Sequence, residues 1–131
     1  MDINQPVDDD KLIVILMTSG PNTPERCATP FFIASLLASM DANVKIFLTM
    51  EAVRLAQKGI AEKTVAIKGG KSVLDFLRDA KALDVEIYMC KPALPGYDMD
   101  NYNDIIPEID EISSGGVLAD LLINCDKVIT F

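Results

Sequence analysis

Between Lys11 and Thr18 the chain runs Leu12-Ile13-Val14-Ile15-Leu16-Met17 without one polar residue. A strand with one wet face alternates apolar and polar side chains, whereas this run offers apolar groups to both faces. It predicts a strand in the middle of a mostly parallel sheet, covered by helices above and below. Residues 1–10, which end in Asp8-Asp9-Asp10, read as a short disordered acidic tail. The turn cluster Thr18-Ser19-Gly20-Pro21-Asn22 closes the strand.

Further strands are expected near 44–48, 85–89 and 127–131, with a short one within 108–113. Helices fall between them. The first starts at Thr23-Pro24 or at Thr29-Pro30, since each pair offers an N-cap and a proline at the first helical position. Its expected buried stripe is Ile33, Leu36, Leu37 and Met40. Thr49 caps a short helix ended by Gly59, and Ser72 caps another carrying Val73, Phe76, Leu77, Ala80 and Leu83. A helical turn is expected over Asp100 to Ile106. Gly115-Gly116 opens a last helix with Leu118, Leu121 and Leu122 inward. Residues 60–70 read equally as loop or short strand, and Lys91 to Gly96 as a loop without helix or ladder. Strands alternating with helices give right-handed βαβ units and an α/β fold of three layers, α/β/α, with about five strands.

A chain of 131 residues, half of them apolar, suits a single domain over 11–131. Such a chain buries about two-thirds of its unfolded surface, so it folds without disulfide or metal. The net charge of −8 repels phosphate backbones and anionic bilayers, which argues against nucleic acid and membrane partners. No apolar run approaches the ~20 residues of a membrane span. Cys27, Cys90 and Cys125 are odd in number and widely spaced, which suits a reducing cytoplasm rather than a disulfide framework.

The chemistry available is narrow. With no histidine in the chain, Ser-His-Asp triads, Cys-His pairs and histidine metal sites are all excluded. No cofactor and no metal are expected. Gly69-Gly70-Lys71-Ser72 resembles the tail of a phosphate-binding loop, but Val65 stands where that loop needs its first glycine. It reads as a turn and a helix cap. Asp98-Met99-Asp100-Asn101 lacks the glycine and glutamate of a calcium loop, Asn103 and Ile109 taking their places.

Functional groups of parallel sheets gather beyond the carboxyl ends of the strands. Three loops qualify: Thr18–Asn22, Thr49–Glu51 and Cys90–Tyr97. Only the third sets a reactive side chain at a strand end. Cys90 is the candidate catalytic residue, because a thiolate is a nucleophile that needs no histidine. Lys91, Thr18, Ser19 and Gly20 are the candidate binding residues around it. Cys27, in the first turns of a helix, is either activated there or packed; Cys125 is most simply structural.

The order of these elements, with Val85-Glu86-Ile87-Tyr88-Met89-Cys90 and the terminal Asp126-Lys127-Val128-Ile129-Thr130-Phe131, resembles the DsrE/DsrF-like family. The resemblance implies a five-stranded parallel sheet and homo-oligomers, trimers or hexamers. It implies a persulfide on the cysteine at the Cys90 position, exchanged with a TusA-like sulfur carrier protein. The absence of a second cysteine near Cys90 argues against an internal relay. Three functions follow: a sulfur carrier or sulfurtransferase, a module binding a nucleotide or flavin at the strand ends, or an oligomeric scaffold without chemistry.

Overall fold

The computed structural model of the protein describes residues 11–131. The expected tail, 1–10, lies outside them. Five strands form one sheet: β1 (Leu12–Met17), β2 (Asn43–Leu48), β3 (Glu86–Cys90), β4 (Glu111–Ser113) and β5 (Lys127–Thr130), in the order β4-β3-β2-β1-β5. Every pairing is parallel. β1 is interior, flanked by β2 and β5, but the middle place belongs to β2. The apolar run marks an interior strand without saying how many strands lie on each side.

Three helices link the strands: α1 (Thr29–Ser39), α2 (Val73–Ala82) and α3 (Gly115–Asn124). From β1 to β3 the chain steps one way across the sheet; α3 then carries it back from β4 to β5 at the far edge. Right-handed crossovers therefore place α1 and α2 on one face and α3 on the other. The main core lies under α1 and α2, where Ile15, Met17, Ile46, Leu48, Ile87 and Met89 meet Phe31, Ala34 and Leu77.

α1 begins at Thr29 after a separate 3-10 turn at Pro24–Arg26, and its N-cap is Ala28 rather than a threonine. Its buried residues are Pro30, Phe31 and Ala34, while Leu36 and Met40 of the expected stripe are exposed. This helix is apolar nearly all round, so two stripes fit the spacing. Close packing on the sheet selects the one with small residues. On α2, Val73, Leu74, Leu77 and Ala80 are buried, but Leu83 is exposed. α3 buries no residue fully: Leu118 and Leu121 are half-buried and Leu122 is exposed.

α1 and α2 end alike. Asp41 and Asp84 adopt left-handed backbone (φ 68° and 64°). Ala42 N–H donates to Leu37 O and Val85 N–H to Ala80 O, which satisfies the last carbonyls. Ser72 caps α2 by accepting from Asp75 N–H at 3.2 Å. Gly69 and Gly70 form a turn before it, and Lys71 pairs with Asp79 and lies over the Phe76 ring. The stretch 60–70 is loop apart from one bridge, Val65 to Ser72. Thr49 precedes a 3-10 helix, Met50–Ala56, and its side chain accepts no capping bond from it.

After Cys90 the chain is not a plain loop: 3-10 turns form at Lys91–Ala93 and Pro95–Tyr97. Prolines at their starts supply the backbone angle each turn needs. The turn expected from Asp100 shrinks to Tyr102–Asp104 and is capped by Asn101, which accepts from Asn103 N–H, rather than by an aspartate. Leu94 and Met99 pin this segment to the core. Asp110 holds its far end, accepting from Ile87 N–H at 2.6 Å and Lys81 Nζ at 2.5 Å.

Candidate functional site at the carboxyl edge of the sheet

Met17, Leu48 and Met89 stand in one row across β1, β2 and β3. The next residues, Thr18, Thr49 and Cys90, continue that row one step toward the carboxyl edge, and Thr49 N–H still donates to Met17 O at 3.0 Å. Cys90 is in turn the register partner of Ser113 on β4. Side chains alternate along a strand, and the methionine row faces the core under α1 and α2. Alternation therefore sets Thr18, Thr49, Cys90 and Ser113 toward the other face, the one α3 crosses, and Cys90 also packs against the edge of the main core. A thiol sits in a row of hydroxyls.

Each member is held differently. Cys90 is half-buried and reachable from solvent. Lys91 follows it and is exposed. Ser113 is 2% exposed, and its hydroxyl has no hydrogen-bond partner among the described residues. α3 begins two residues later, with Ser114 as its N-cap and no side-chain cap bond. Cys90 thus lies beside a helix N-terminus, where backbone N–H groups favour negative charge.

The Thr18–Asn22 loop is built from internal bonds. Thr18 Oγ1 and N–H both donate to Phe131 O. Gly20 O accepts from Thr23 N–H at 2.9 Å and from the Cys27 thiol at 3.2 Å. Asn22 N–H donates to Glu51 Oε1. Ser19 is half-buried in the middle of the loop. Thr18 thus reaches the row with Cys90, whereas Gly20 is turned into the support beneath it.

Cys27 is fully buried, and burial, then the carboxylates of Glu51 and Glu25, push its thiol up to about 11. That environment is the reverse of an activating one. Cys125 caps the end of α3, its thiol donating to Leu122 O. Arg26 sits on the 3-10 turn before α1.

On the α3 face further down β2 and β3, Lys45, Glu86 and Tyr88 form a closed trio. Lys45 Nζ lies 2.8 Å from Glu86 Oε1 and 3.3 Å from the Tyr88 hydroxyl oxygen, and that hydroxyl donates to Glu86 Oε2 at 2.6 Å. Two surface hollows, about 390 and 300 Å³, lie elsewhere: one at the opposite edge by Asn43 and Asp84, one between Phe32 and Phe76.

Ser113 was not legible in the sequence. Only its register with Cys90 shows it, and a serine near Gly115-Gly116 gives no signal of it.

The DsrE/DsrF-like family model matches residues 11–131. No curated protein matches the sequence. Among solved structures, the YchN protein of E. coli is similar at 23% identity and a TM-score of 0.73, over 94% of this chain and 100% of that one. BT1422 of Bacteroides thetaiotaomicron, of unknown function, aligns at 15% identity and TM-score 0.65 over 92% and 95%. MTH1491 of Methanobacterium thermoautotrophicum, also of unknown function, aligns at 13% and 0.59 over 94% and 100%. These likenesses establish the fold. Among the described residues no helix is long and apolar enough to cross a membrane. The chain belongs to the DsrE/DsrF-like family, a family generally associated with sulfur relay.

Proposed function

We propose that this protein is a sulfur carrier or sulfurtransferase subunit that holds sulfur as a persulfide on Cys90. The observation that carries the reading is the position of Cys90: a partly buried cysteine fixed at the end of β3, in register with Ser113 and near the start of α3. A strand end fixes the direction of the thiol, and its exposure lets a partner's thiol reach it. Lys91 and Thr18 stand at the rim of that position, with Ser19 and Gly20 supporting the loop behind Thr18.

The partner is a small sulfur carrier protein of the TusA-like kind, and the working form is a homo-oligomer, a trimer or hexamer, in the reducing cytoplasm. Asp98, Asp100 and Asp104, with Tyr97 and Tyr102, are exposed on the segment that follows Cys90 and suit a basic partner face.

Intact-mass measurement after incubation with a sulfane-sulfur donor tests this. The native protein should gain the mass of one sulfur atom, and so should Cys27→Ser and Cys125→Ser. Cys90→Ser should fold and gain nothing. An unmodified native protein, or uptake by Cys90→Ser, refutes the reading and leaves the scaffold in its place.

A further inference from the structure

A buried hydroxyl almost always has a partner, because an unpaired one has lost its water for nothing. Ser113 breaks this rule at 2% exposure. It stands opposite Cys90 in the β3–β4 ladder, a strand spacing of about 4.8 Å away. Both side chains project to the α3 face, yet no hydrogen bond joins the hydroxyl to Cys90 Sγ. Immediately after it, α3 opens with no side-chain cap, and a Cβ on Gly115 would meet nothing within 4 Å. The N–H groups of Gly115 and Gly116, which open this ten-residue helix, have no intrahelical acceptor and, among the described residues, no side-chain cap bond; both glycines are exposed. The Ser113 hydroxyl and these N–H groups thus stand at the corner between β4 and α3, next to Cys90, and the resting thiol does not engage the hydroxyl.

Resting on the carrier reading above, we propose that Ser113 and the first N–H groups of α3 form the seat for the outer sulfur of a Cys90 persulfide. The loading step balances without an external oxidant. The Cys90 thiolate attacks the outer sulfur of a donor persulfide, a bond forms between Sγ and that sulfur, and the donor's S–S bond breaks. The donor leaves as its thiolate. The new outer sulfur carries the negative charge and extends about 2 Å beyond Sγ. That extension brings an anionic acceptor to a hydroxyl that Sγ alone does not engage. Ser113 is thus unsatisfied in the empty state and satisfied in the loaded one, which holds the cargo and fixes its direction.

The test compares native protein, Ser113→Ala and Ser113→Thr, each loaded with a sulfane-sulfur donor and then freed of it by gel filtration. All three should load to the same stoichiometry. The persulfide of Ser113→Ala should then decay about tenfold faster than the native one, while Ser113→Thr, which keeps the hydroxyl, retains the native lifetime. Alkylation of unloaded Cys90 should proceed at the same rate in all three, because the resting thiol has no bond to Ser113. Equal persulfide lifetimes in native protein and Ser113→Ala overturn the proposal while the carrier reading stands. A parallel change in alkylation of the unloaded thiol assigns the effect to altered packing and overturns it too. A native protein that does not load refutes the carrier reading itself, before any variant is compared.

Discussion

Gly20 packs so closely on Glu51 that a Cβ on the glycine would stand 2.3 Å from the Glu51 carbonyl oxygen. The loop after β1 is thereby locked to the segment after β2, Asn22 N–H ties the same two pieces together, and the Cys27 thiol holds the loop to the start of α1 through Gly20 O. Gly20→Ala forces backbone apart rather than a flexible side chain. We expect a loss of about 1–3 kcal/mol or more in chemical denaturation. A wild-type midpoint would show that the loop yields and that Gly20 is not what positions Thr18.

The three cysteines should separate by reactivity. Native protein treated with an alkylating agent near neutral pH should label at Cys90 and leave Cys27 untouched until the fold is opened by denaturant. Burial raises the Cys27 thiol from 9.0 to about 11. A folded value above the unfolded one means that this stabilisation is complete below pH 9.0 and is lost as pH rises through about 11. Cys27→Ala should accordingly lose less stability than wild type between those limits, as melting curves across the range would show.

Asp84 occupies the left-handed position that ends α2, where an L side chain is strained and a negative charge meets the negative end of the helix dipole. Asp84→Gly should raise stability by about 1 kcal/mol, and Asp84→Asn, which removes only the charge, by less. Thermal melts of the two variants decide it; a destabilised glycine variant would mean that the aspartate has a compensating role.

What the sequence disclosed follows from how local each signal is. β1 was legible because both its faces are buried, which leaves no polar residue to confuse the period. Cys90 was legible because Val85, Ile87 and Met89 alternate up to the point where Lys91-Pro92 stops the strand. The stripe of α1 was misread because Phe31, Phe32, Ile33, Leu36 and Leu37 satisfy two phases, and only packing against the sheet favours Phe31 and Ala34. Ser113 was silent because its meaning lies in a register between strands far apart in sequence.

The Lys45–Glu86–Tyr88 trio predicts opposite effects at the two ends of the pH scale. Hydrogen bonds from Lys45 and Tyr88 hold Glu86 below its ordinary 4.5. Its contribution is therefore full above pH 4.5 and disappears as pH falls through the lowered value. Burial opposes the charge on Lys45, but the bonds to Glu86 and Tyr88 outweigh it and raise its pKa above the ordinary 10.5. Tyr88 is also raised, by burial and by donating to Glu86. Those two contributions are lost as pH climbs through the raised values. Glu86→Gln should cost no more than about 1 kcal/mol at neutral pH, given how exposed the carboxylate is, and the difference should vanish in acid. A difference that persists in acid would assign it to packing.

The last expectation concerns the edge of the sheet that α3 and β5 form. Among the described residues β5 is an edge strand with one side unpaired, Val128 on it is exposed, and Ile123 of α3 is 83% exposed beside the exposed Leu122. Phe31 and Met99, by contrast, fit wholly inside the core, whereas Phe32 and Met50 remain outside. Apolar side chains grouped next to an open strand edge favour association with another chain over exposure to water. Light scattering at micromolar concentration should therefore give a mass above that of one chain. Ile123→Glu puts a charge at the centre of the contact and removes an apolar group whose burial contributes about 1.5–3 kcal/mol, so it should weaken association tenfold or more. Phe32→Glu, on the opposite face over α1, should leave the mass unchanged. A native monomer would remove the association outright, and dissociation by Phe32→Glu but not Ile123→Glu would move the interface to the α1 face.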